Sequence, residues 1–361
     1  MPATPDRRDV PLAVLLLVGA AGVFAVASNP LMADAAQYAD TAQHVADGDG
    51  FVTTALNHVG DFATPRPGFY PPGLPLLLSP FAALGDVQLG SRLLSLCYLL
   101  ALVWAAGRLG GRWAAAVAAT FALLSPFLLL SARTVMADAT GAALALTALA
   151  LLAREPVRRR LLMVGFVTGL AVLVRLSNAP LPLAALAAAP RGGRRWVVLG
   201  ATPGALGLLL FQWYYFGGPL TSGYPSYIGW SLSSVFHPVD GDVSVQIGVA
   251  TPGGPPPDLL PGWLYWSSSL GVWWTFAPPF VGLLGIIAAW RSRLTPAGRF
   301  TLLTSAGLFA FCVSYYYQAS RIMAPAAAQL VAFAAVGVVR LRPGSAARRL
   351  PTRSGPHPPR P

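Results

Sequence analysis

QLGSRLLSLCYLLALVWAAGRLGGR, Gln88 to Arg112, decides the fold. Residues 88–107 carry one charge, Arg92, and the run then closes on Arg108 and Arg112. About 20 apolar residues in a helix reach across the ~30 Å hydrocarbon core of a bilayer, and a cationic flank stops the segment at the headgroups. Runs of the same character lie at about 10–28, 113–131, 138–153, 161–175, 179–190, 196–215, 264–290, 300–317 and 322–340. With 88–107 that makes ten. The pair around Leu176 to Pro190 is short enough to be one re-entrant element.

The whole chain agrees with this reading. Its 361 residues are 55% hydrophobic and 11% charged, with a mean hydropathy of +0.58, whereas soluble domains carry about a quarter charged residues. All 25 basic residues are Arg and the net charge is +12. Such a charge in a soluble protein would suggest nucleic acid, but here the arginines fall in short clusters between apolar runs, so no nucleic-acid partner is expected. The clusters Arg7/Arg8, Arg108/Arg112, Arg154/Arg158/Arg159/Arg160, Arg191/Arg194/Arg195, Arg291/Arg293/Arg299 and the tail from Arg340 follow every second run. Twenty arginines and three acids then lie inside, and five arginines and ten aspartates outside, with both termini cytoplasmic in a cell (plasma or inner) membrane. Ala25-Val26-Ala27 resembles a signal-peptidase site, yet the first run is long enough to stay as an anchor. Cys97 and Cys312, far apart in apolar runs, read as small buried hydrophobes.

The expected class is therefore an all-α polytopic membrane protein of about ten transmembrane helices, with amphipathic helices in its first external loop. Residues 1–342 form the membrane-embedded domain, with external loops 29–87 and 216–262, and 343–361 form a disordered cytoplasmic tail that touches at most membrane lipid.

Chemistry is expected in the external loops. Ala33 to Asp47 reads as an amphipathic helix closed by Gly48, with Asp34, Tyr38, Thr41 and Val45 at helical spacing. Asp34 falls in the first turn, where the helix dipole favours the carboxylate. A carboxylate there suits a general base and equally suits a plain helix-start charge. Arg66-Pro67-Gly68-Phe69-Tyr70-Pro71-Pro72-Gly73-Leu74-Pro75 is a stiff rim ahead of an apolar stretch ending near Leu84. Arg66 beside Phe69 and Tyr70 suits a phosphate and a sugar face, or an interfacial aromatic anchor. Arg133 and Arg175 sit at outer span ends, where pairing with Asp138 or a lipid phosphate would offset the ~2.5–3.5 kcal/mol penalty for Arg in a bilayer. His44 and His58 share the loop with Asp34 and Asp40 without a recognisable ligand spacing, so no metal site and no cofactor are assigned, although a divalent ion is compatible. Tyr224, Tyr227, Trp230 and Trp263 suit sugar rings or a membrane interface.

Asp34-Ala35-Ala36-Gln37-Tyr38 with Gly48-Asp49-Gly50-Phe51, then Tyr70-Pro71-Pro72-Gly73, Arg133-Thr134-Val135-Met136-Ala137-Asp138 and Arg321-Ile322-Met323-Ala324-Pro325 come in an order that resembles the GT-C glycosyltransferases. The branch most similar is that of the dolichyl-phosphate-mannose protein mannosyltransferases and aminoarabinose transferases, family 39-like. The resemblance implies an inverting membrane glycosyltransferase that takes a sugar from a polyprenyl-phosphate donor and gives it to an acceptor (protein, lipid or glycan) at the external face. It implies Asp34 as catalytic base, Asp138 as a second catalytic acid near acceptor or sugar, and Arg321, with Arg66, at the donor phosphate. Tyr38, Tyr70 and Arg133 would line the substrate. Lipid A transferases of this kind carry a basic residue where this chain has Tyr70, which counts against lipid A aminoarabinose transfer unless Arg66 supplies the missing charge. A polytopic transporter or lipid flippase is the alternative from another class; it would place ionisable groups near the midplane and show internal repeats, and no repeat is evident.

Overall fold

The computed structural model describes residues 10–28, 34–56, 60–221, 279–314 and 320–341. The aromatic loop expected over 216–262, most of the 264–290 run, His58 and the 343–361 tail lie largely or wholly outside the described residues.

Thirteen α-helices and one β-hairpin make up the described chain. They are α1 (Val10–Ala25), α2 (Asp34–Asp47), β1 (Val52–Leu56), β2 (Gly60–Pro67), α3 (Gly73–Ala82), α4 (Val87–Gly110), α5 (Arg112–Leu124), α6 (Pro126–Arg133), α7 (Ala137–Leu152), α8 (Arg158–Val174), α9 (Pro180–Ala188), α10 (Arg194–Phe216), α11 (Pro279–Arg291), α12 (Pro296–Ser314) and α13 (Ala324–Arg340). Two stretches, Val87–Gly110 and Arg191–Phe216, are long and apolar enough to cross a membrane on length and composition; α5 and α6 make a third if the bent pair is one span.

The bend has a local cause. The 113–131 run reads as continuous, but Pro126 has no N–H to give, so the helix stops and Ser125 caps the next one, its hydroxyl accepting from the Phe127 N–H at 3.1 Å. The two axes diverge by 61°.

Helices α7 and α13 form the middle of the bundle. Both are apolar around their whole circumference, which marks a helix wrapped by others, and nearly every residue of Ala137–Leu152 and of Ala324–Val336 is buried. Around them lie α4, α5, α8, α11 and α12, with a core built largely of alanine. The outer face is apolar too: Leu17 is 70% and Leu210 66% exposed, as expected of side chains that meet lipid. Cys97 belongs to this face, contrary to its expected burial. It shares a stripe of α4 with Leu100 and Trp104, opposite the buried Tyr98 and Leu102.

Small residues let α8 and α10 approach closely. Gly165 and Gly169 on α8 face Gly200 and Gly204 on α10, and a methyl at Gly165 would sit 2.0 Å from the Val197 carbonyl oxygen. Arginines and tryptophans pair in alternate turns: Arg108 over Trp104, Arg112 over Trp113, Arg158 over Trp196 and Arg293 over Trp290.

Candidate active site

The first loop folds as α2, the β1–β2 hairpin and α3. Helix α2 begins at Asp34 and ends at Asp47, close to the expected span, and Gly48 leaves it at φ +88°. One face, Ala35, Tyr38 and Ala42, packs with Leu74, Leu78 and Ala82 of α3 and with Val135, Ala137 and Val174. The apolar stripe that makes α2 amphipathic thus seats it on the ends of α7 and α8.

Its polar face carries the hairpin. The strands pair antiparallel, Val52 opposite Pro67 and Thr53 opposite Arg66, with a bulge between Thr53 and Ala55. The Asp40 carboxylate accepts from the Thr53 hydroxyl at 2.8 Å and from the Thr54 and Ala55 N–H groups at 2.6 and 3.2 Å. A bulge frees N–H groups from the ladder, and here the carboxylate takes them up. Phe51, just before the hairpin, is tied to α10: its N–H donates to the Tyr215 hydroxyl at 2.8 Å and its ring meets Phe211 edge-on. Gly50 makes this approach feasible, with φ +88° and with a would-be Cβ only 2.7 Å from that hydroxyl.

Asp34, Tyr38 and Tyr70 come together. The Tyr70 hydroxyl donates to Asp34 Oδ1 at 2.6 Å, and its ring stacks on Tyr38 with centroids 4.6 Å apart. Pro71 and Pro72 carry Tyr70 to that place by opening α3 at Gly73, whose Cα lies so close to the end of α8 that a Cβ would be 2.6 Å from the Leu173 carbonyl oxygen. Tyr70 is therefore the residue holding the Asp34 carboxylate. A short hydrogen bond to a carboxylate restricts its rotamer.

Asp138 stands in the first turn of α7 at 4% side-chain exposure, in an ion pair with Arg175, which is 14% exposed. Arg175 follows α8 and leads into the 3-10 turn Leu176–Asn178. Ala137 and Val174, the neighbours of the pair, belong to the buried cluster beneath Tyr38. The pair therefore underlies the α2 platform.

Arg133 donates from Nε to the Ala27 carbonyl at 3.2 Å, and Arg92 reaches Val26 O and Ser28 Oγ, both at 3.1 Å. Both cations lie where the C-terminal end of α1 leaves carbonyls without helical partners. Arg66 is exposed on β2. Arg321 lies in the 3-10 turn Ser320–Met323 that leads into α13, and only its backbone falls within what is described. His44 pairs with Asp49 at 3.0 Å, and among the described residues no three His, Cys, Asp or Glu side chains gather as a metal cluster. Sequence reasoning did not single out Asp40 as the hairpin's anchor, or Gln37. Their one signal was a polar residue one turn from Asp34 or from His44 on the helix.

The profile of glycosyltransferase family 87 matches residues 69–315. The chain belongs to glycosyltransferase family 87. This is a GT-C-type family, so the superfamily expected from the motifs is borne out, with 87 as the family within it. The match runs from the Tyr70 segment through α12 and leaves α2 and Arg321 outside.

Among solved structures, ArnT from Cupriavidus metallidurans bound to undecaprenyl phosphate is similar at a TM-score of 0.57 and 18% identity, over 94% of this chain and 61% of that one. The oligosaccharyltransferase AglB from Archaeoglobus fulgidus, in complex with an inhibitory peptide and a dolichol-phosphate, is similar at 0.54 and 12%, over 92% of this chain and 50% of that one. These likenesses establish a shared fold. The chain spans about three fifths of the length of ArnT and half that of AglB. A search of curated protein sequences finds no match.

Proposed function

We propose that this family 87 chain is an integral membrane glycosyltransferase that moves a sugar from a polyprenyl-phosphate donor to an acceptor at the external face, with inversion. The observation that carries the reading is Asp34, at the head of α2, oriented by the Tyr70 hydroxyl over the stacked Tyr38 and Tyr70 rings. Family membership and a fold shared with ArnT, a protein solved with undecaprenyl phosphate, support the donor class.

In this mechanism the Asp34 carboxylate takes the proton of an acceptor hydroxyl. The acceptor oxygen forms its bond to the anomeric carbon from the face opposite the phosphate. The bond between that carbon and the phosphate oxygen breaks, and polyprenyl phosphate leaves with the electron pair. Arg321, assisted by Arg66, would neutralise charge gathering on the leaving phosphate. Asp138 would act through Arg175 to hold the end of α8 under the acceptor, with Tyr38, Tyr70 and Arg133 around the substrate. The reaction so written uses no metal and no cofactor.

The same reading carries the topology: about ten spans, a membrane-embedded domain over 1–342, both termini and the 343–361 tail in the cytoplasm, and residence in the cell membrane. The alternation of arginine clusters supports it.

Asp34→Asn in the purified chain, reconstituted in nanodiscs with a radiolabelled polyprenyl-phosphate sugar, is the test. Turnover is expected to fall by about 10²–10⁴ with donor binding retained. Full activity in this variant would refute the mechanism.

A further inference from the structure

Four polar side chains of α2 have partners within the protein. Asp34 accepts from Tyr70, Asp40 holds the hairpin, Gln43 donates to Asp47 and His44 pairs with Asp49. Gln37 differs. It is 1% exposed, and neither Oε1 nor Nε2 has a hydrogen-bond partner. Orphaning a buried polar group is unfavourable by about 1–3 kcal/mol, and folded proteins satisfy the great majority of such groups. Gln329 of α13 is orphaned likewise within the bundle, so it is the place of the Gln37 amide beside Asp34 that points to a partner from outside the chain.

Its position says what the partner is next to. Gln37 stands three residues after Asp34 and four before Thr41, spacings that make them neighbours on the helix surface at roughly 5–6 Å between Cβ atoms. Asp34 itself is half-buried, so a hydroxyl arriving at that carboxylate enters beside the amide. A carboxamide offers two donors and an acceptor, the complement of adjacent hydroxyls on a sugar ring, and it carries no charge to favour a phosphate. We propose that Gln37 is a substrate-contacting specificity residue: its carboxamide hydrogen-bonds sugar hydroxyls beside Asp34. The assignment rests on the transferase reading above.

The test uses the full chain in nanodiscs, radiolabelled polyprenyl-phosphate hexose and pentose with their monodeoxy analogues, and membranes of a gene-deleted strain as acceptor source. Gln37→Leu should fold with a Tm at or above that of the wild type, because the orphaned amide is gone. Its kcat/KM should fall roughly 5- to 100-fold, the scale of one unpaired polar contact. The wild type should discriminate against one monodeoxy donor by a similar factor, and Gln37→Leu should lose that discrimination. Unchanged kcat/KM, or discrimination that survives the substitution, overturns the inference and leaves the amide with an internal water only. If Gln37→Leu does not fold, Gln37→Met is measured in the same way; failure of both to fold makes the amide structural and also overturns it. A wild type that transfers neither sugar refutes the transferase reading instead, and this inference with it.

Discussion

Removing one member of the Asp138–Arg175 pair should destabilise the protein far more than removing both. Asp138 is 4% and Arg175 14% exposed, and the two join the start of α7 to the end of α8. Deleting one partner of a buried pair leaves an uncompensated charge and typically costs about 3–5 kcal/mol, whereas replacing both by apolar groups of similar volume is often close to neutral. Asp138→Leu and Arg175→Met are therefore each expected to lose about 3–5 kcal/mol, and the double variant less than either one. The non-additivity, the single losses summed and then compared with the double, should reach several kcal/mol, above the roughly 0.5–3 kcal/mol usual for contacting residues. Reversible unfolding in mixed detergent micelles, with all four chains in the same lipid ratio, measures this cycle. Additive losses, or single variants within about 0.5 kcal/mol of wild type, would show that water reaches the pair and that the platform under α2 does not depend on it.

Tyr70→Phe keeps the stacking on Tyr38 and deletes only the donor to Asp34, so kcat should drop about 10- to 100-fold, the value of a hydrogen bond to a charged group, with donor binding unchanged. Lower donor affinity with kcat unchanged would show that the Tyr70 hydroxyl serves the substrate and does not orient Asp34. Gly200→Ala places a methyl 2.0 Å from the Leu162 carbonyl oxygen, so α8 and α10 must separate by about 1.3 Å to regain an ordinary contact, and a lower Tm is expected, with Gly207→Ala, where the nearest atom is 3.6 Å away, as the tolerant control. Equal Tm values for the two variants would contradict the close approach. Asp40→Ala should release the hairpin and speed amide exchange at Thr54 and Ala55 while leaving exchange in α7 unchanged; unaltered exchange at those two residues would remove Asp40 as the anchor.

The apolar runs were legible because a helix in lipid must satisfy its own backbone and present apolar side chains. The 88–107 run became Val87–Gly110, and 138–153 became Ala137–Leu152. Hydropathy carries no direction, which is why the 113–131 run gave no sign of a 61° bend although Pro126 stood in plain view. Cys97 was misjudged for a related reason: an apolar neighbourhood in sequence does not distinguish lipid from core. The hairpin was missed because Val52-Thr53-Thr54-Ala55 is short and its bulge is satisfied by Asp40, a residue from another element. The place of Asp34 in the first turn of α2 was legible from the amphipathic pattern, but its contact with Tyr70 spans 36 residues and depends on where Pro71 and Pro72 set the start of α3.

That dependence bears on how the site works. A carboxylate on a free surface loop would wander, and the proposed role of Asp34 as a base would require it within about 3 Å of the acceptor hydroxyl. The first loop is instead fastened at separate points. Arg92 and Arg133 hold the carbonyls at the end of α1, Phe51 is hydrogen-bonded to Tyr215 of α10, and Gly73 lets α3 press against the end of α8. Each tie joins a residue of the loop or its approach to a helix of the bundle, so ordering is provided by the fold before substrate binds. Arg133, expected at the substrate, contributes at least one N–H to this fastening. A role in positioning the loop and a role at the substrate are compatible for a guanidinium with five N–H groups, and the fastening alone explains why an arginine stands at the end of α6.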